Sequence, residues 1–211
     1  MISRRRFNAL AAGAAVGAAI APHSILAAGK YADPVLGENG LYHEPFFLES
    51  FLEVADDLKE ASDLGKRFAI MWELDGCPYC RETHFINFAI PEIREYVEEN
   101  FVIVQLDVIG ARKVAGFDGK RMGEKAFARA SGVRFSPTFQ FFPETLDGLT
   151  GADLVKPEIA RMPGYFRPFH FLTMFQFVNE KAYEKQDFRA YLKAKIASYK
   201  DAGKPLPDWN S

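Results

Sequence analysis

Apolar and polar positions divide the middle of the chain into a helix followed by a strand. In residues 49–67 the apolar side chains recur at the spacing of a helix with one buried face. They are Phe51, Leu52, Ala55, Leu58 and Ala61. Gly65 is a typical helix stop. The run RFAIMWEL, residues 67–74, is mostly apolar and rich in strand formers, so it predicts a buried strand.

A second helix and a second strand follow at once. Residues 77–90 predict a helix that Pro91 ends or kinks, and residues 91–100 continue in helical register. Proline suits the first turn of a helix, where its missing N–H is not needed. The run FVIVQLDV, residues 101–108, predicts another buried strand. A strand, a helix and a second apolar strand indicate a βαβ unit with a parallel sheet.

The second half of the chain predicts a β-hairpin and two closing helices. The elements are a loop over 110–123 with a turn at Asp118–Gly119, a short helix over 124–133, a strand over 138–142, a polar loop over 143–157, a returning strand over 158–165, and amphipathic helices over 168–183 and 187–203. We expect the tail after these helices to be irregular.

Composition narrows the class of protein. The chain has 211 residues, of which 48% are hydrophobic and 20 are Phe, which is enough to build the core of one domain. The formal net charge is only −2. This charge gives no electrostatic footprint for nucleic acid, so we expect no nucleic-acid partner.

Residues 1–28 predict an export signal. The stretch SRRRF, Ser3 to Phe7, precedes a weakly apolar run rich in Ala and Gly. A basic start, an apolar stretch and small residues describe a signal peptide, and Arg4 and Arg5 fit the twin-arginine pattern. The alternative is a membrane anchor, but the run is short and is broken by Pro22. We expect cleavage near residue 28, which removes three arginines and no acid. The mature protein would then be periplasmic, with a net charge of −5.

Both cysteines of the chain, Cys77 and Cys80, lie in the stretch LDGCPYCRETH. A structural disulfide, a metal site and a redox pair are the alternatives. So short a loop constrains little chain entropy, and zinc prefers four ligands. Arg81 stands where haem attachment needs a histidine. His84 could complete a copper site with the two sulfurs, or could simply be packed and hydrogen-bonded.

Thiol chemistry favours a redox pair. A helix N-terminus lowers the pKa of a cysteine, and Cys77 follows the predicted strand at the start of a helix. Cys80, one turn later, should be less exposed and act as the resolving thiol. Pro78 fixes the turn between them, and Tyr79 should expose its ring beside the nucleophile. The reaction would then need no cofactor beyond the Cys77–Cys80 disulfide itself.

The order of elements, the C-x-x-C pair and Ser136-Pro137-Thr138 together resemble the thioredoxin fold. The resemblance covers about residues 46–199, with residues 29–45 as an extension and 200–211 as a tail. It implies an α/β domain with a mixed sheet flanked by helices, and here an extra C-terminal helix. In that family a cis proline faces the dithiol and shapes the substrate groove. The resemblance gives this role to Pro137, with Ser136 and Thr138 beside it.

A narrower resemblance is to the exported SoxW-type thioredoxins of sulfur-oxidation clusters. The stretches that carry it are GCPYCRETH, GVRFSPTFQFF and RMPGYFRPFHFLTMFQFV. It implies a reductase fed by a membrane electron donor of the CcdA or SoxV kind. Its clients would be exported proteins with disulfides or oxidised cysteines, such as the Sox sulfur carrier.

The sequence departs from thioredoxins at two positions. Met71 stands where they carry a buried Asp, and Gly76 where they carry a Trp. Glu73, Asp75 and His84 are therefore the candidates for proton transfer to and from Cys80. A disulfide oxidase or isomerase of the same fold, and a copper module built on Cys77, Cys80 and His84, remain as alternatives.

Overall fold

The computed structural model describes residues 32–209. The predicted export signal, the membrane-anchor alternative and the cleavage site lie outside these residues. Within residues 32–209 no helix is both long enough and apolar enough to cross a membrane.

Eight strands and seven α-helices make up the described part of the chain. In chain order they are β1 (Val35–Leu36), β2 (Tyr42–His43), α1 (Val54–Asp63), β3 (Arg67–Glu73), α2 (Pro78–Glu82), α3 (Pro91–Asn100), β4 (Phe101–Asp107), β5 (Lys113–Ala115), β6 (Arg121–Gly123), α4 (Glu124–Ala130), β7 (Thr138–Phe141), α5 (Gly151–Val155), β8 (Ala160–Pro163), α6 (Pro168–Asn179) and α7 (Phe188–Asp201). A π-helical segment, Thr83–Asn87, follows α2, and a short 3₁₀ turn, Ala182–Glu184, precedes α7.

The central sheet has four strands in the order β4-β3-β7-β8. β3 is parallel to β4, and β7 is antiparallel to both β3 and β8. The connection from β3 to β4 runs through α2, the π-helical segment and α3, which is the predicted βαβ unit. Helices flank the sheet, and α7 is the additional C-terminal helix. The predicted thioredoxin-like fold is therefore confirmed.

β3 lies between two hydrophobic cores, because its successive side chains point to opposite faces of the sheet. Ala69 and Met71 contribute to a core rich in phenylalanine, whereas Ile70 and Trp72 contribute to the core beneath α1 and α4. All seven residues of β3 are buried. A strand buried on both faces reads as a continuous apolar run, which is why the sequence pattern located it correctly.

Several segments differ from the sequence prediction, beginning with the helix predicted over 49–67, which starts only at Val54 and leaves Phe51, 95% exposed, and Leu52 before it. Residues 110–123 do not form a plain loop, because β5 and β6 pair there around the predicted Asp118–Gly119 turn. The polar loop 143–157 contains the short helix α5. Upstream, β1 and β2 form a small antiparallel hairpin that the sequence did not indicate. All these strands have two or three residues, too few to display a period.

Candidate active site

Cys77 lies in the connection between the end of β3 and the start of α2. β3 ends at Glu73, and Gly76 turns the chain with a φ of 71°, a conformation that favours glycine. Cys77 then has extended backbone and is the N-cap of α2, with Pro78 as the first helical residue. Cys77 and Cys80 are joined by a disulfide, with their Cα atoms 5.3 Å apart.

The two sulfurs differ in their surroundings. Cys77 is half-buried, while Cys80 is only 4% exposed. The backbone N–H of Cys80 donates to Cys77 Sγ over 3.1 Å. A hydrogen bond to the charged form favours that form, so in the reduced protein this N–H would stabilise a thiolate on Cys77. Cys77 is therefore the more accessible of the two sulfurs, and Cys80 lies behind it.

The turn before β7 approaches the disulfide from the sheet side. The Ser136–Pro137 peptide bond is cis, as expected from the sequence. Ser136 O lies 3.5 Å from Cys77 Sγ, a van der Waals contact in the disulfide form, where the sulfur carries no hydrogen. Pro137 and Thr138 are buried, and Pro137 O accepts from the Gly164 N–H over 2.7 Å. Of the predicted groove residues, the structure places Ser136 in contact with Cys77, with Pro137 and Thr138 directly after it in the chain.

Two tyrosines stand beside the disulfide. Tyr79 is exposed, as predicted, and its ring stacks on that of Tyr165 with centroids 6.0 Å apart and an interplanar angle of 20°. The Tyr165 hydroxyl reaches Asn87 Oδ1 at 3.4 Å. Phe135, just before the cis bond, is also exposed. Aromatic groups that remain exposed at a reactive centre are a typical means of contacting a partner protein.

A buried charge network lies behind α2 and is centred on His84. Its Nδ1 is 2.9 Å from Glu44 Oε1, and its Nε2 is 3.0 Å from Glu73 Oε1. Burial acts to lower the pKa of His84, but the hydrogen bonds to the two carboxylates more than offset this and raise the pKa to about 9. His84 is therefore an imidazolium at neutral pH, held between two carboxylates.

The network is completed by the side chains of Arg94 and Gln105 and by the carbonyl of Tyr42. Arg94 Nη1 lies 3.3 Å from Glu44 Oε2, which places two cations against two carboxylates. Gln105 donates from Nε2 both to Glu73 Oε2 and to the carbonyl of Tyr42. The sequence indicated Glu73 and His84 but missed Glu44 and Gln105. Glu44 lies 40 residues before His84, and no local pattern could have linked them.

The candidates for proton transfer separate into two environments. Glu73 and His84 are buried and hydrogen-bonded to each other, whereas Asp75 is exposed and packs against Gly40. Glu73 and Asp75 both line a cleft that Cys77 and Cys80 also line. Glu73 lies two residues after Met71 on β3, so both side chains point to the same face of the sheet.

The copper alternative does not fit this geometry. Both ring nitrogens of His84 are engaged by carboxylates, so neither is available to complete a site with Cys77 and Cys80. Across residues 32–209 no group of three or more His, Cys, Asp or Glu side chains is arranged to hold a metal ion. His84 is a packed and hydrogen-bonded residue, which was the other interpretation of its place in the sequence.

Residues 54–179, more than half of the chain, match the family model of a thioredoxin-like domain. No curated protein matches the chain. Among solved structures it is similar to a thioredoxin-fold protein from Helicobacter pylori, at 20% identity and a TM-score of 0.50 over 65% of this chain and 84% of that one. It is also similar to a thioredoxin from Thermus thermophilus, at 23% identity and a TM-score of 0.43 over 60% and 83% of the two chains. A third is the oxidised C-terminal domain of DsbD from Neisseria meningitidis, at 20% identity and a TM-score of 0.37 over 59% and 88%.

Proposed function

Because the chain belongs to the thioredoxin-like family and is a thiol–disulfide oxidoreductase, we propose that it works in the periplasm as a reductase of exported cysteine proteins. One observation carries the chemistry: a half-buried Cys77 sulfur at the start of a helix, with the buried Cys80 one turn behind it. The periplasmic location rests on the predicted export signal, and the direction of electron flow rests on the resemblance to SoxW-type proteins.

The reaction transfers two electrons from the reduced Cys77/Cys80 pair to a client disulfide. The Cys77 thiolate attacks one client sulfur, forms a mixed disulfide and displaces the other client sulfur as a thiolate. Cys80 then loses its proton and attacks Cys77 Sγ, which releases the second client thiol and forms the Cys77–Cys80 disulfide. An external reductant must restore the dithiol, and a membrane donor of the CcdA or SoxV type would supply the electrons.

The proton of Cys80 needs an acceptor inside the protein, because this thiol is almost fully buried. We infer that Glu73 has this role. It is buried, it lines the same cleft as the two cysteines, and His84 and Gln105 hold its carboxylate in place. Asp75 is exposed on the rim of the cleft, where it would exchange protons with water instead.

Trapping of the client tests the reductase. The Cys80→Ser variant keeps the attacking sulfur and lacks the resolving one, so it should accumulate a covalent complex with its client in periplasmic extract. The Cys77→Ser variant is the matched control and should trap nothing. By resemblance, the client is a Sox sulfur carrier. Absence of any trapped partner with Cys80→Ser would count against the reductase.

Equilibration with a dithiol buffer of known potential separates a reductase from an oxidase or isomerase. The members of this fold span up to about 150 mV in potential, so the position of the Cys77–Cys80 couple within that range gives the direction. A potential near the oxidising end would overturn the reductase. Mass spectrometry of the periplasmic fraction tests the location, because export predicts a chain that begins near residue 28.

A further inference from the structure

The β1–β2 hairpin forms one wall of a cleft whose other wall contains the reactive disulfide. The cleft has a volume of about 350 Å³, and both Cys77 and Cys80 line it. Its other large apolar lining residues are Leu36, Leu41, Tyr42, Leu74 and Pro78. The hairpin precedes residues 54–179, the part that matches the family model, so this wall is an addition to the thioredoxin-like domain.

The hairpin is fixed in place. Gly40, at its turn, has a φ of 75°, and a Cβ atom there would overlap the side chain of Asp75. The carbonyl of Tyr42 accepts from Gln105 Nε2 over 2.7 Å, and the Tyr42 ring packs edge-on against Phe85 at 5.0 Å. Each of these partners lies on or near an element that positions the dithiol. The cleft is therefore a preformed feature of the described structure.

The lining indicates what the cleft binds. Leu36 is 58% exposed although it is a large aliphatic side chain, and it lies where a bound group would cover it. Asp75 and Arg81 are exposed at the same cleft, so its rim is polar. The volume is at the lower end of the range for ligand pockets, which suits a side chain or two and not a folded surface.

The cleft is separate from the groove beside the cis proline. Among the residues that line it, none comes from the turn Phe135–Thr138, which contacts Cys77 from the sheet side. A polypeptide that presents a disulfide to Cys77 would thus have one flank at the cis-proline turn and the other at the hairpin. Whatever fills the cleft must lie next to the reacting sulfur.

We propose that this cleft is a specificity pocket for the client, and that it takes an apolar side chain next to the client's reacting cysteine. This inference rests on the proposed function, since it concerns the same two sulfurs. It assigns to Leu36, with Leu41 and Tyr42, the selection of clients with aliphatic neighbours to the cysteine. The β1–β2 hairpin would thus select clients by the residues beside their cysteine, while Cys77 at the start of α2 carries out the thiol–disulfide exchange.

The test uses the reduced protein and two short peptides, each joined through its one cysteine to thionitrobenzoate as a mixed disulfide. Leu flanks the cysteine on both sides in one peptide, and Ala in the other. We expect the wild type to react about tenfold faster with the Leu peptide, the lower range for discrimination by an apolar pocket. Leu36→Asp should reduce this ratio to about two or less, with Leu36→Ala between.

Val35→Asp is the matched control. Val35 is the other β1 residue, is 63% exposed and does not line the cleft, so the same charge enters one position away. It should keep the wild-type ratio. All variants should react with 4,4′-dithiodipyridine, an uncharged disulfide that has no peptide flank, at the wild-type rate.

Three results would overturn the specificity pocket. The first is that the wild type reacts with the two peptides at equal rates. The second is that Leu36→Asp and Val35→Asp change the ratio of peptide rates equally. The third is that Leu36→Asp slows the reaction with the small aromatic disulfide as much as it slows the reaction with the Leu peptide. The last would indicate a cleft for small thiols. Rapid but equal peptide reactions reject the pocket alone. Reactions no faster than those of a free dithiol reject the proposed function, and the pocket with it.

Discussion

Replacement of His84 by Gln should abolish a pH dependence of stability that the buried network confers. In the native state, hydrogen bonds to Glu44 and Glu73 outweigh burial and raise the pKa of His84 from 6.5 to about 9. Between these two values the native protein holds a proton that the unfolded chain has lost. The stability due to this proton is fully present below pH 6.5 and is lost as the pH rises through about 9.

The magnitude follows from the same pair of values. Each pKa unit corresponds to about 1.4 kcal/mol, so a rise from 6.5 to about 9 represents about 3 kcal/mol of unfolding free energy. The steepest loss should be about 1.4 kcal/mol for each pH unit. His84→Gln removes the charge and leaves the two carboxylates with Arg94, so at pH 6.5 it should be less stable than the wild type by a similar amount.

Urea unfolding of the oxidised protein at several values between pH 6.5 and 9.5 measures this effect. The window lies above the titration of Asp57, whose pKa burial raises to about 6. His170→Gln is the matched control. His170 lies on α6, is half-buried and is not a member of the charge network around His84. Parallel pH profiles for the wild type and His84→Gln would refute the reasoning. A flat wild-type profile would do so even if the variant did not fold.

Two further predictions concern the sulfurs and the core. Iodoacetamide should modify Cys77 of the reduced protein before Cys80 and at lower pH, because Cys77 Sγ accepts an N–H and Cys80 is buried. Mass spectrometry of peptides reports the order, and prior modification of Cys80 would reverse the assignment. Phe88→Ala should lower the unfolding free energy by about 3–5 kcal/mol, since the ring packs against Phe46 and Phe171 at 5.4 and 5.3 Å. Phe51→Ala, at a 95% exposed position, should change it by less than about 0.5 kcal/mol in the same urea titration.

The sequence located the elements that have a long period or a strong motif. Buried strands such as Arg67–Glu73 are continuous apolar runs, and the C-x-x-C pair and the Ser136–Pro137 bond occupy recognisable places in the order of elements. The β1–β2 hairpin escaped prediction because strands of two residues display no period. The contact of Glu44 with His84 was not predicted because it depends on the folded chain, in which residues 40 positions apart come together.

The helix after the dithiol shows the same limit. Residues 77–90 were expected to form one helix, and the structure has α2 followed by the π-helical segment Thr83–Asn87. This segment carries His84 and Asn87, whose side chains face the buried carboxylates and the Phe166 carbonyl. A change from α to π winding rotates the side chains that follow, and spacing alone does not reveal it. Such segments are frequent at functional sites.

The position of Glu44 has a consequence for where a transplantable unit of this protein starts. The family model begins at residue 54, yet the carboxylate that faces both His84 and Arg94 comes from ten residues upstream. A chain cut to residues 54–179 would lose Glu44 and keep both His84 and Arg94. Uncompensated charge in an interior is strongly destabilising. A piece of the chain that keeps the charge balance around His84 must therefore begin before Glu44, ten residues upstream of the family match.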